Sequence, residues 1–332
     1  MLNNLNILFV LLTFISSLIS ISSVNWLGVW MGLEFNMISF IPLIIEYKNI
    51  LPNESALKYF IIQASASSLF LFSCLLQSIK YSFFWNFNMS MLMSTIIVIS
   101  ISLKLGAAPF QSWFILVISG LNWYKSLLLM TWQKLAPLFI LNYMFVKNNL
   151  IFVIAMLSAL VGALGGLTQT FLKKILAFSS INHLGWMMMI IYFNSEFLKF
   201  YFSIYMFMTF FCVKLFNDNY MYKLNQQFYT FESLILSFSL LSLGGLPPFL
   251  GFFPKWIVIN QLMMNQFYLN SLMLVFLALI TLFFYLQISL NSIMFNFIVN
   301  KFYLNIKKTN FVVLVMMVLT MSGLMLSNLL YT

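Results

Sequence analysis

Arginine is absent from this 332-residue chain, whose 16 Lys and Arg positions are all lysine. The planar guanidinium fork favoured by nucleic-acid readers and kinase-like phosphate sites is therefore unavailable, and no nucleic-acid partner is expected. Charge of either sign is scarce: 7% of residues are charged and 63% apolar, against about 25% and about 45–50% in an ordinary soluble domain. That balance excludes a water-soluble globule. Cysteine occurs twice, as Cys74 and Cys212, each alone in an apolar run. Two isolated thiols form neither a disulfide framework nor the four-thiolate cradle of an iron–sulfur cluster. No Gly-x-Gly-x-x-Gly turn, Walker sequence, metal-ligand spacing or Ser/His/Asp arrangement occurs, so no cofactor, metal or redox centre is expected in this chain itself.

What is present is apolar sequence interrupted by short polar breaks. The runs predict eleven transmembrane helices at about 5–23, 26–46, 56–77, 90–118, 123–145, 149–170, 174–194, 197–216, 232–265, 269–292 and 311–330. Met1 to Ser23 has neither the basic leader of a signal peptide nor the arginines of a transit peptide, and reads as the first span. Phe (39) and Met (23) are abundant while Gly (12) and Pro (7) are few. That bias fits a very A/T-rich genome and points to mitochondrial encoding. The fourth and ninth spans are too long for simple helices, and each carries a breaker: Gly106-Ala-Ala-Pro109-Phe110 and Gly245-Leu-Pro247-Pro248-Phe249. Proline removes a donor and clashes with the preceding turn, so both spans are expected to be discontinuous helices.

Lysines orient the chain. Nine (Lys48, Lys125, Lys173, Lys174, Lys214, Lys223, Lys301, Lys307, Lys308) fall in loops on the N-terminal side, and three (Lys80, Lys147, Lys199) on the other. The positive-inside rule puts the N-terminus in the matrix, and an odd span count puts Thr332 in the intermembrane space. Most of the +10 net charge is thus a topological signal with attraction to phospholipid headgroups. Lys58, four residues after Glu54, reads as a helix-start pair.

Four charges remain deep. Lys134 lies roughly 16 Å into its span and Glu34 about 12 Å into the second, counting about 1.5 Å per residue. Lys104 and Lys255 flank the two breaks. An ionised group at the bilayer centre costs about 2.5–3.5 kcal/mol on insertion scales, which folding alone does not require. Inert ion pairs or snorkelling would account for single members. As a set they predict a proton pathway: burial disfavours an ammonium, whereas a carboxylate about 4 Å away favours it by roughly 4 kcal/mol at an effective dielectric of 20. His183, the only histidine, sits in the polar patch Ser179-Ser-Ile-Asn-His183, as a proton carrier or as a satisfied core residue.

Pro109 and Pro248 are 139 residues apart, each in the fourth member of a set of five spans. Because five is odd, the second set is inverted, as in secondary transporters. The expected organisation is therefore a first five-helix repeat at 1–148, a second, inverted repeat at 149–292, and a matrix loop with a last helix at 293–332. Ser158, Gly162 and Gly166 recur every four residues as a small-residue packing seam.

Trp30-Met-Gly-Leu-Glu34, Leu103-Lys104-Leu-Gly-Ala-Ala-Pro-Phe110, Thr131-Trp-Gln-Lys134-Leu-Ala-Pro137, Phe178-Ser-Ser-Ile-Asn-His183-Leu-Gly-Trp186 and Leu243-Gly-Gly-Leu-Pro-Pro-Phe-Leu-Gly251 with Pro254-Lys255-Trp256 resemble the subunit 2 family of mitochondrial NADH-ubiquinone oxidoreductase, respiratory complex I, in its arthropod, insect-like form. The resemblance runs from about Asn25 to Tyr285. It implies an antiporter-like subunit of the membrane arm in the mitochondrial inner membrane. There Glu34 tunes Lys104, Lys134 is the central relay and Lys255 serves the other half-channel. It also implies that NADH, FMN, iron–sulfur clusters and ubiquinone are handled by partner subunits, with the small subunit 4L and antiporter-like subunit 4 among the neighbours. The alternatives are a stand-alone cation/proton antiporter and a passive spacer of the membrane arm.

Overall fold

The structure is a computed structural model and describes residues 4–46, 49–82, 87–144, 149–193, 196–224, 226 and 230–299. They fall into two compact units divided between Ser158 and Ala159. The first holds α1 (Asn4–Ser22), α2 (Trp26–Ile44), α3 (Ile50–Ser82), α4 (Phe87–Leu105), α5 (Ser112–Gly120), α6 (Trp123–Met130) and α7 (Trp132–Tyr143). The division falls within α8 (Asn149–Leu167). The second unit continues with α9 (Leu172–Phe193), α10 (Phe197–Asp218), α11 (Thr230–Gly244), α12 (Phe252–Met264) and α13 (Tyr268–Val299).

The first, second, third, sixth, seventh, eighth and tenth expected spans are single helices long and apolar enough to cross a membrane. The fourth, fifth and ninth are each a pair of shorter helices. The eleventh, 311–330, lies outside the described residues, as do Lys48, Lys147, Lys301, Lys307 and Lys308.

Apolar surroundings leave the backbone to satisfy itself, and the helix does this within one segment. Serines enter without breaking the rule. Ser17, Ser20, Ser73, Ser100 and Ser180 return their hydroxyls to carbonyls three residues earlier, so these hydroxyl donors are met on buried faces. Small residues also set the closest approaches. A Cβ on Gly32 of α2 would lie 2.7 Å from the backbone of Ser20 on α1, and one on Gly162 of α8 would lie 2.5 Å from the backbone nitrogen of Asn182 on α9. The packing seam expected on α8 holds at Gly162 and at Gly166, which faces the Phe284 ring, and Gly165 extends it against Phe178. Ser158 is fully buried.

Both expected breaks occur and share one hydrogen-bond pattern. α4 stops at Leu105; Gly106 takes φ +67° and donates to Leu103, while Ala107 donates to Ser102. α11 stops at Gly244; Gly245 takes φ +78° and donates to Ser242, while Leu246 donates to Leu241. Each is a Schellman end, whose left-handed position glycine occupies without a Cβ clash. Phe110 then donates to Ala107, and Phe249 to Leu246, closing matching turns around the prolines. The fifth span departs from expectation. The apolar run predicts one continuous helix from 123 to 145, but it breaks at Thr131, whose φ of −115° and ψ of −74° interrupt the helix between Met130 and Trp132.

Gly251 enters α12 directly over the end of α11, where a Cβ would fall 1.8 Å from the Ser242 oxygen; at Gly244 the nearest atom is 3.5 Å away. Gly251→Ala is therefore expected to destabilise by about 1–3 kcal/mol or more. Gly244→Ala should be neutral or stabilising by up to about 1 kcal/mol. Thermal loss of assembled protein in detergent checks the pair, and equal midpoints would contradict the close approach.

Candidate functional site

In the first unit, the break after α4 positions Lys104 in the last helical turn, where its positive charge suits the negative end of the helix. The carbonyls exposed by the break are taken up by neutral donors. Gln63 Nε2 donates to the Lys104 oxygen at 3.2 Å and Trp113 Nε1 to the Leu103 oxygen at 3.1 Å. Lys134 sits just past the interruption at Thr131, its amide donating to the Thr131 oxygen at 3.1 Å. Its side chain is 1% exposed, with the ammonium 4.6 Å from the centre of the Phe114 ring.

The two lysines line one small cavity of about 20 Å³, walled on its polar side by Asn36, Tyr59, Gln63 and Gln133. That volume accommodates a water molecule, and the wall supplies the polar partners a buried water needs. Gln133 Nε2 donates to Asn36 Oδ1 at 2.9 Å, and the Tyr59 hydroxyl donates to Gln133 Oε1 at 3.5 Å. Glu34 is half-buried on α2. It stands within electrostatic reach of Lys104 and Tyr59, but makes no ion pair within 4.0 Å among the described residues. The cavity thus borders both Lys104 and Lys134, with Glu34 outside its lining.

In the second unit Lys255, 4% exposed, has a different partner. Its ammonium donates to the carbonyls of Gly244 at 2.9 Å and Leu243 at 3.4 Å, capping the broken end of α11, and stands 5.9 Å from the Trp186 ring. His183 is buried one turn before Trp186 on α9. Its Nδ1 lies 2.9 Å from the Tyr201 hydroxyl, and its ring 5.1 Å from that of Tyr205.

Asn36, Tyr59, Gln63, Gln133, Tyr201 and Tyr205 were not singled out from sequence. A signal existed: Tyr59 and Gln63, and Tyr201 and Tyr205, are polar pairs four residues apart on apolar helices and so share a face. The Glu54–Lys58 pair forms as expected, at 3.4 Å and exposed. Lys125, counted as a loop charge, instead pairs with Glu46 at 2.7 Å. Asn122 and Asn49 complete that carboxylate at 2.6 and 2.8 Å.

Residues 23–281 match the family model described as NADH:quinone oxidoreductase/Mrp antiporter, TM. A protein of Anopheles gambiae named NADH-ubiquinone oxidoreductase chain 2 is 46% identical over 267 residues, covering 77% of this chain and 76% of its own length. The chain belongs to this family. The Locusta migratoria chain 2 protein is 43% identical over 79% of this chain and 77% of its own. The fold matches a chain of respiratory complex I from Thermus thermophilus with a TM-score of 0.83 at 21% identity, covering 98% of this chain and 79% of that one. The cavity and the two broken helices thus lie inside an antiporter-like membrane subunit of the complex I and Mrp family.

Gln133→Leu would leave the buried Asn36 oxygen without its donor and should cost about 1–3 kcal/mol, whereas adding Asn36→Leu should recover much of that loss. A double-mutant cycle on thermal stability checks this. Additive losses would mean that the two amides do not work as a pair.

Proposed function

We propose that this chain is a proton-translocating subunit of the membrane arm of NADH:ubiquinone oxidoreductase, carrying protons from the matrix to the intermembrane space of mitochondria. Electron transfer from NADH to ubiquinone in partner subunits drives the movement, and FMN and iron–sulfur clusters belong to those partners. The observation that carries this reading is the cavity shared by Lys104 and Lys134. Two buried ammonium-bearing side chains, a polar wall and room for a water form a route along which a proton can pass from Lys104 Nζ through that water to Lys134 Nζ. Burial disfavours charged forms and an opposite charge favours them, so a change in the distance between Glu34 and Lys104 loads or unloads the lysine. Lys255, held at the other break, is the corresponding carrier of the second unit, with His183 and its tyrosine partners beside it.

The matching helix ends after Leu105 and Gly244 support two inverted five-helix repeats, at 1–148 and 149–292, within an eleven-span chain. The N-terminus then faces the matrix and Thr332 the intermembrane space. Subunits 4L and 4 are the proposed neighbours, and phospholipid surrounds the remaining faces. Relatives named chain 2 favour this assignment over a stand-alone antiporter.

Lys134→Met should leave assembly intact, since it removes a buried charge at the cost of little volume, yet should lower proton-coupled turnover and the proton-to-electron ratio. An assembled variant with both quantities unchanged would remove Lys134 from the route.

Glu34→Gln and Lys104→Met should each lower coupled turnover, and the double variant should cost little more than the worse single one, because groups acting as one unit are not additive. Multiplying losses would show that Glu34 serves another group.

A further inference from the structure

α9 begins with two lysines in its first turn, Lys173 and Lys174, and with no acidic residue there. The start of a helix carries partial positive charge, so lysine is the side chain least favoured there on the helix's own account. A third lysine is brought to the same place by the backbone. The Leu172 amide donates to the Tyr222 oxygen at 3.0 Å and the Leu224 amide to the Thr170 oxygen at 3.2 Å, clamping 170–172 against 222–224. Gln226 Oε1 accepts from the Lys223 amide at 3.1 Å and fixes the same strap.

The clamp gathers charge around two aromatic rings. The ammonium groups of Lys174 and Lys223 stand 5.5 and 5.7 Å from the centre of one ring, Phe171, and that of Lys173 stands 5.3 Å from Tyr222. Among the described residues no carboxylate lies within 4.0 Å of Lys174 or Lys223. Phe171 and Tyr222 are each 44% exposed, and Leu164 and Leu167, on the adjoining end of α8, are exposed as well. Three apolar helices, α8, α9 and α10, end beside this patch. It therefore lies at the boundary between hydrocarbon and water, where aromatic rings and lysines meet lipid headgroups.

We infer that Lys173, Lys174 and Lys223 form a site for the phosphate of an anionic phospholipid. The three ammonium groups and the start of α9 take the phosphate, and the exposed leucines of α8 and the Phe171 ring run beside the acyl chain. That apolar flank selects a lipid over free phosphate. The site is separate from the proton route and stands without it.

The test uses the assembled complex, stripped of lipid in detergent and offered photoactivatable phosphatidylglycerol or phosphatidylcholine, with inorganic phosphate as competitor. Phosphatidylglycerol should label peptides spanning 164–174 and 220–224, phosphatidylcholine should not, and phosphate should fail to displace the label. A basic residue near an anionic surface is worth about fivefold in affinity, so Lys173→Gln, Lys174→Gln and Lys223→Gln together should weaken labelling by about a hundredfold. Lys199→Gln, at the far end of α10 from Tyr222 and Lys223, should leave it unaltered. Equal labelling by both lipids, displacement by phosphate, or a triple variant that labels as well as the parent overturns the site. If the triple variant does not assemble, Lys174→Gln and Lys223→Gln are measured singly. A loss of about fivefold in each supports the site, and no change in either overturns it.

Discussion

Hydrocarbon supplies no hydrogen bonds, so every carbonyl released where a helix breaks must find a donor within the protein. The architecture around the buried lysines follows from that requirement. After α4 the freed carbonyls draw in Gln63 and Trp113, which brings α3 and α5 to the end of α4 and helps to wall the cavity beside Lys104. After α11 they draw in the Lys255 ammonium itself. One backbone pattern is thus completed by neutral side chains in one unit and by a cation in the other.

This difference gives the two halves unlike chemistry. Lys104 stands near a carboxylate without touching it and faces a space large enough for water. Lys255 has carbonyl oxygens as direct partners and an indole face nearby. A carboxylate can be neutralised or withdrawn, whereas a helix end is a fixed partial charge. The first arrangement suits a group whose state is adjusted from outside, and the second suits one whose surroundings stay constant.

Much of this was legible in the sequence because glycine and proline are rare in it. Gly106, Pro109, Gly245 and Pro248 stood out against apolar runs, and both breaks fall where they signal. Glu34, Lys104, Lys134 and Lys255 stood out for the same reason, as charges with no structural excuse. The interruption at Thr131 gave no such sign: threonine is an ordinary residue in apolar helices, and its side-chain bond to the Leu127 oxygen is equally compatible with a continuous one. The cavity wall was hidden for another reason. Asn36 and Gln133 are uncharged, so nothing local separates them from polar residues facing other helices, and Gln63 is marked only by Tyr59 one turn before it. The Glu46–Lys125 pair was missed because it joins residues 79 apart in sequence, and a count of charges by loop cannot see which loops meet.

The close approach of α8 to α9 at Gly162 bears on where movement can arise. With the α9 backbone seated in the gap left by a missing Cβ, neither helix can turn about its axis or slide by a residue without collision. α9 is buried along nearly its whole length and carries both His183 and Trp186, so its backbone is hemmed in on every side that the site faces. In the proposed proton-translocating role, movement in this unit falls to rotamer changes of long side chains such as Lys255, or to the short helices on either side of a break.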